Sequence, residues 1–134
     1  NQWKAEGKVR LFGEYDSYGP GEHTRDFIYV KDVVKVNFYF WEHPEISGIF
    51  NCGTGHAHQF NTLAKGVLKH FGSGELEYVP FPEVLKGKYQ SFTQADTTNL
   101  LAAGYDGGFT PIEDAIAEYC ALLDKTGGYY VYER

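Results

Sequence analysis

Ile49-Phe50-Asn51-Cys52-Gly53-Thr54-Gly55, followed by Phe60-Asn61-Thr62-Leu63-Ala64-Lys65-Gly66-Val67-Leu68-Lys69-His70-Phe71-Gly72, decides the fold class. The first four residues are a short apolar run of the kind that forms a strand, and they run straight into a glycine turn. Phe60, Leu63, Ala64, Val67, Leu68 and Phe71 then recur at steps of three, one, three, one and three, the pattern of a helix with one apolar face. Gly72 stands where the chain needs a left-handed residue to leave that helix. Leu76-Glu77-Tyr78-Val79 alternates as a strand does. Strand, turn, helix and strand in this order read as an α/β architecture.

Working outward, Val9-Arg10-Leu11-Phe12 reads as a strand and Gly13 to Thr24 as a mobile, glycine-rich surface loop. Phe27-Ile28-Tyr29-Val30 reads as a further strand. Asp32 is placed to cap a helix through about Glu42, with Val33, Val36, Phe40 and Trp41 as its buried stripe and Pro44 ending it. Asp96 is placed to cap a short helix holding Leu100 and Leu101, which Gly104 stops. In the last helix Thr110, Pro111 and Glu113 have capping-box spacing, and Ile112, Ala115, Ile116, Tyr119 and Leu123 share one face. The expectation is a small domain of short strands interleaved with about four helices, too short for a complete doubly wound sheet.

Composition narrows the function classes. The 134 residues carry 12 Lys+Arg against 18 Asp+Glu, a net charge of −6, which argues against nucleic-acid binding through the phosphate backbone. A hydrophobic share of 43% with 22% charged residues is that of a globular chain. No apolar run approaches the roughly 18 residues of a membrane span. The opening Asn1-Gln2-Trp3-Lys4 has no apolar stretch behind it, so no secretory leader is expected. Two cysteines, Cys52 and Cys120, are too few for a disulfide scaffold and fit a reducing compartment; both are expected to be buried and inert. The lack of any methionine, even at position 1, raises the expectation that the chain is a piece of something longer.

Catalytic motifs are missing. Gly53-Thr54-Gly55 has His58 where a dinucleotide fingerprint has its third glycine, so it reads as a tight strand-to-helix turn. No Tyr is followed four residues on by a Lys, and neither a Gly-x-Ser-x-Gly elbow nor a phosphate-binding lysine loop occurs. His56 and His58 have no third ligand in register, so a metal is not expected. Arg25, at the start of a strand after a flexible loop, offers a planar fork suited to phosphate; the plain alternative is an ion pair with Asp26 or Asp32. Tyr15, Tyr18 and Tyr89 fall in loops, where rings suit stacking on a base or sugar. The stretch Gly87 to Asp96, polar and aromatic without period, is long for a connector and reads as a functional loop.

Arg25-Asp26-Phe27-Ile28-Tyr29-Val30-Lys31-Asp32-Val33 and Gly48-Ile49-Phe50-Asn51-Cys52-Gly53-Thr54-Gly55 resemble two segments of extended short-chain dehydrogenase/reductases acting on nucleotide sugars, the NAD-dependent epimerase/dehydratase family. Tyr78-Val79-Pro80-Phe81-Pro82, Leu85-Lys86-Gly87-Lys88-Tyr89-Gln90, Phe92-Thr93-Gln94-Ala95-Asp96, Asn99-Leu100 and Ala103-Gly104-Tyr105 are similar to the ADP-L-glycero-D-manno-heptose 6-epimerases within it. The likeness runs from about Val9 to about Leu123 and matches only their C-terminal part. Residues 1–134 are thereby implied to be a substrate-binding domain of α+β type, with residues 125–134 an unmatched tail.

The resemblance implies an isomerase of lipopolysaccharide precursor synthesis that inverts C6″ of ADP-heptose, cytoplasmic and homo-oligomeric (pentameric in well-known members). NADP, or NAD, would sit on an N-terminal Rossmann domain absent from this chain. The Tyr/Lys pair and the second acid/base residue lie upstream in that family, so no catalytic or cofactor-binding residue is implied here and the piece alone would be inactive. Arg25 would hold the ADP diphosphate, Tyr89 would contact substrate phosphate or sugar, and Phe12, Gly13, Glu14 and Tyr15 would lie beside the nucleotide. The loop after Phe12 is several residues longer than in the family, and His58 replaces a small or acidic residue. Loss of the surface against a Rossmann domain would expose apolar area able to drive self-association. The rival readings are another nucleotide-sugar epimerase or dehydratase, acting on UDP or dTDP sugars, and a non-catalytic carbohydrate- or partner-binding module.

Overall fold

β1 (Lys8–Phe12) and β4 (Glu75–Val79) form a parallel pair, with Lys8 opposite Glu75 and Phe12 opposite Val79. They belong to a computed structural model that describes residues 2–127. Parallel neighbours need a long crossover, and here it carries α2 (Val30–Glu42) and α3 (Phe60–Phe71). Within that crossover a second, minimal sheet pairs β2 (Thr24–Arg25) antiparallel with β3 (His58–Gln59). Thr24 also bridges in parallel to Phe92 on its other side. A short α1 (Gln2–Glu6) precedes β1, and α4 (Thr98–Ala102) and α5 (Ile112–Lys125) follow β4. The mixed class of short strands and helices is as expected, with five helices among the described residues.

Side chains meet in two regions. Val36 of α2, Leu100 of α4 and Tyr105 form one buried centre, and Tyr39, Phe40, Phe50 and Phe109 pack around it. The Tyr39 hydroxyl donates to the Ala103 carbonyl at 2.6 Å, fixing α2 to the end of α4. In the other region α3 crosses α5 at Gly66, where a Cβ would stand 2.8 Å from Ile116 Cδ1. Trp3 of α1 stacks on Phe71 with centroids 3.8 Å apart. Gly72 leaves α3 at φ 68°, the left-handed exit that its place in the sequence indicates.

Several expectations from sequence are corrected. Phe27–Tyr29 and Ile49–Cys52 are not strands: α2 already begins at Val30, and the backbone of 47–53 makes no backbone hydrogen bond. Phe50 reaches the core by stacking on Phe40 at 4.5 Å, while Ile49 is 90% exposed. Trp41 is 81% exposed because steps of three and four from Val33 lead through Val36 to Phe40. Trp41 falls one position further round, with exposed Val34 and Phe38. Cys120 is buried but Cys52 is exposed, although partial desolvation and then Asp32 and Asp26 hold its thiol above the ordinary range. Of the tail from 125, Lys125 closes α5; residues 128–134 lie outside the described residues.

The two helix caps fail for a shared reason. Neither Asp32 nor Thr110 caps its own helix; Tyr29 and Pro111 occupy the cap positions, without side-chain caps. Asp32, fully buried, instead accepts the Thr110 N–H at 2.7 Å and the Thr110 hydroxyl at 3.0 Å, and Lys35 Nζ at 2.8 Å. Burial pushes this carboxyl up, but the bonds from Lys35 and Thr110 outweigh it and hold it below the ordinary aspartate range. A tertiary tie thus takes the oxygen that local capping would use. Asp32→Ala strands the Thr110 N–H beside α5, and removing a charged hydrogen-bond partner costs about 2–3 kcal/mol. Urea unfolding of the variant measures that loss; unchanged stability would contradict the tie.

Candidate functional site

The site grows out of β2 and the segments that flank it. Thr24 N–H donates to the Ser91 carbonyl at 3.0 Å and Thr93 N–H to the Thr24 carbonyl at 3.3 Å, so the 91–93 segment runs along β2. Leu85 to Tyr89 forms a tight turn, with Lys88 and Tyr89 N–H both on the Leu85 carbonyl at 3.0 Å. This brings the Tyr89 ring under Arg25, whose Cζ lies 4.9 Å from its centroid and 5.8 Å from that of Phe60. Arg25 also donates to the Thr24 carbonyl at 2.7 Å. Among the described residues it faces no carboxylate, so neither Asp26 nor Asp32 pairs with it. A guanidinium over aromatic rings is held in place while most of its donors stay open.

Asp26, next along the chain, turns the other way. Its Oδ1 accepts the Thr54 N–H at 2.8 Å and the Thr54 hydroxyl at 2.6 Å; its Oδ2 accepts Gly55 N–H at 2.8 Å and Ala95 N–H at 3.1 Å. Burial raises its pKa, yet these bonds prevail and lower it. Gly53 fits against this carboxylate because it has no side chain: a Cβ would collide with that of Ala95 and lie 2.8 Å from Asp26 Oδ2. The amides of Thr54 and Gly55, which a pyrophosphate would need in a dinucleotide turn, are therefore already occupied. The residues present do not fit a nicotinamide dinucleotide.

Around Arg25 and Tyr89 lies an aromatic cluster. Phe12, at the end of β1, meets Tyr89 edge-on at 6.2 Å and Phe81 at 5.3 Å. The loop after Phe12 is not loose: its base is closed by Gly21 N–H on the Phe12 carbonyl at 2.9 Å. Tyr15 stacks on Phe81 at 4.1 Å, its hydroxyl accepts Gly87 N–H at 2.6 Å, and Asp16 accepts the Ser91 hydroxyl at 2.7 Å. The carbonyls of Gly21 and His23 then accept the first amides of α3, Asn61 and Phe60, at 3.0 and 3.1 Å. Between these anchors a cleft of about 200 Å³ opens, lined by Arg10, Leu11, Phe12, Gly21, His23, Phe60 and Tyr89.

Of the residues singled out in sequence, Arg25, Tyr89 and Phe12 come together at this cleft. Tyr15 belongs to the same aromatic cluster through Phe81. Gly13 is part of the β1 end, its N–H on the Val79 carbonyl at 2.7 Å, and exposed Glu14 points to separate shallow depressions beside Phe81 and beside the 15–19 turn. His58 pairs across from Arg25 in β3, and exposed His56 accepts at its carbonyl from the Thr54 hydroxyl. Among the described residues no group of three His, Cys, Asp or Glu could hold a metal, and no helix is long and apolar enough to cross a membrane. Sequence reading passed over His23, buried at 2% exposure in the cleft wall. The signal was its position two before Arg25, which places both on one side of an extended chain.

Residues 2–53 match the model of the NAD dependent epimerase/dehydratase family. The chain resembles that family. The ADP-L-glycero-D-manno-heptose-6-epimerase of Helicobacter pylori is 26% identical over 92% of this chain, with a TM-score of 0.72, and the match covers 35% of that protein. The UDP-glucose 4-epimerase of Thermotoga maritima, solved with UDP-glucose, is 27% identical over 93% of this chain and 38% of its own, at 0.71. The UDP-N-acetylglucosamine 4-epimerase of Methanobrevibacter ruminantium M1, in complex with UDP-N-acetylmuramic acid, shares the fold at 0.71, with 21% identity over 89% of this chain and 35% of its own. The chain thus spans about a third of the length of the epimerases it matches.

Asp26 makes the site acid-sensitive. Its folded pKa is lowered, so the unfolded chain takes up the proton first, near the ordinary value of about 3.9. The stability it supplies is complete above that value and fades as pH falls through the lower folded one. Asp26→Asn turns an amide NH₂ toward donors and costs about 2–4 kcal/mol at pH 7. Urea unfolding between pH 2.5 and 7 should show that loss together with a shallower acid limb; an acid limb identical to that of the parent would rule out the carboxylate as its source.

Proposed function

We propose that this chain is the nucleotide-sugar-binding domain of an epimerase of the NAD-dependent epimerase/dehydratase family, and that the aromatic cleft beside Arg25 is where the nucleotide sits. The carrying observation is the Arg25 guanidinium, over the rings of Tyr89 and Phe60 and facing no carboxylate among the described residues of a chain of net charge −6. An anion approaching an acidic protein needs a local, unneutralised cation, and the other described arginine, Arg10, is bound to Glu6 and Glu77. In this reading Arg25 takes the diphosphate through its fork, Tyr89 lies against the phosphate or sugar, and Phe12 with Tyr15 flanks the nucleotide, Gly13 and Glu14 forming the approach.

The nicotinamide cofactor, NADP or NAD, and the groups that move hydride and proton are assigned to a Rossmann part outside these 134 residues. Those groups supply oxidation and re-reduction of the sugar carbon. This chain's own residues bind and orient. The long contiguous likeness from Tyr78 to Tyr105 supports ADP-heptose as the substrate and C6″ as the inverted centre, a reading under which the protein would act in lipopolysaccharide core precursor synthesis in the cytoplasm, within a homo-oligomer. A UDP-sugar reading is supported by the similar identity to the Thermotoga maritima enzyme.

Thermal melts separate these readings, because a ligand present at 100 times its Kd stabilises a folded chain by about 2.7 kcal/mol. ADP is expected to raise the melting temperature and UDP to do so less at equal concentration; the reverse order moves the assignment to a UDP sugar. In calorimetry Arg25→Ala should weaken ADP binding by about 1.5–3 kcal/mol, roughly tenfold to a hundredfold, as loss of a charged hydrogen bond does. Unchanged affinity removes Arg25 from the site.

A further inference from the structure

His23 lies in the wall of the aromatic cleft, and the family resemblance gives it no role. The side chain is 2% exposed, yet its Nε2 has no hydrogen-bond partner among the described residues. Buried polar atoms are paired as a rule, and the exceptions call for a physical explanation. Aromatic rings surround the imidazole. Tyr18 and Tyr15 stack on the imidazole with centroids at 5.3 and 6.3 Å, Phe81 lies tilted at 5.7 Å, and Tyr89 meets it edge-on at 5.2 Å. The Tyr15 hydroxyl is already committed to Gly87 N–H. The backbone of His23 is fixed as well, its carbonyl accepting the Phe60 N–H that opens α3. The imidazole is therefore held among these rings, its buried Nε2 without a partner among the described residues, in the wall of the cleft.

The cleft also limits what enters. At about 200 Å³ it is smaller than the roughly 300–1,000 Å³ of pockets that enclose a whole drug-sized ligand. It has room for one ring of a larger molecule. Its walls are Leu11, Phe12, Phe60 and Tyr89, which favour a flat face, and His23 is a wall residue whose buried Nε2 has no partner among the described residues. Arg25 lies over the Phe60 and Tyr89 rings at the border, where phosphates attached to such a ring would emerge.

Building on the nucleotide-sugar reading above, we propose that His23 is a specificity-determining residue, whose Nε2 hydrogen-bonds the polar edge of the nucleobase seated in this cleft. A neutral imidazole gives or accepts at Nε2 according to tautomer, so the bond is open to a base amine or a ring nitrogen. The rest of the nucleotide is left to Arg25 and Tyr89.

Calorimetry on the 134-residue chain tests this with two probes: whichever of ADP and UDP binds more tightly, and inorganic diphosphate, which has no base. His23→Phe keeps the aromatic filling and removes the nitrogen. It is expected to weaken the nucleotide about tenfold and leave diphosphate unchanged, while His23→Gln restores most of the nucleotide affinity. A merely structural histidine would lower both probes together, and that result, or unchanged nucleotide affinity, overturns the proposal. A measurement that needs no variant accompanies it. The His23 Nε2 resonance of the parent chain should shift on saturation with nucleotide and stay in place with diphosphate; an unmoved resonance at saturating nucleotide overturns the proposal. If neither nucleotide binds the parent chain, the nucleotide-sugar reading fails too. If binding is lost in Arg25→Ala but not in His23→Phe, only the role of His23 falls.

Discussion

One carboxylate holds the site region together. Asp26 gathers four donors from the Thr54–Gly55 turn and from Ala95, so the beginning of α2, the turn before β3 and the approach to α4 meet at its two oxygens. A carboxylate offers about four acceptor positions, and all are used. Successive side chains in extended backbone point to opposite sides. With Asp26 tied to the interior, Arg25 is turned outward onto Tyr89 and Phe60. The residue that organises the fold and the residue stacked on the rings are neighbours with separate work, which leaves the arginine without a carboxylate among the described residues and the strand still anchored.

The loop between β1 and β2 follows from the same arrangement. Closed at its base by the Phe12–Gly21 bond, it lays Tyr15 and Tyr18 across His23 and returns to cap α3 with the carbonyls of Gly21 and His23. Gly21 is needed at that return because a Cβ there would collide with Asn61 and with Leu11. Asp16 and Ser17, both at positive φ, reverse the chain between the two tyrosines. The loop thus builds one side of an aromatic enclosure around a histidine.

Periodicity carried the reading wherever one face of an element decides its fate. α3 and α5 declared themselves by apolar spacing, β1 and β4 by composition and alternation, and Gly72 and Gly104 by their exit positions. It failed where a partner outside the local sequence took over. Asp32 and Thr110 each have ideal capping chemistry, and they spend it on one another across 78 positions. Ile49–Cys52 has strand composition, but no neighbouring strand is present among the described residues, and composition does not supply one. At the site, Arg25 was legible as a fork at the start of a strand and Tyr89 as a ring in a loop, whereas their stacking depends on a bridge between Thr24 and Phe92 that no spacing rule encodes.

The account stands most directly on where a nucleotide touches the chain. An amide and side-chain NMR titration of the 134-residue protein with ADP would map that contact residue by residue. The account predicts shifts concentrated at Phe12, His23, Arg25, Phe60 and Tyr89, with α5 and the exposed face of α2 unmoved. Shifts gathered along α2, or saturating ADP with no movement around Arg25, would contradict it.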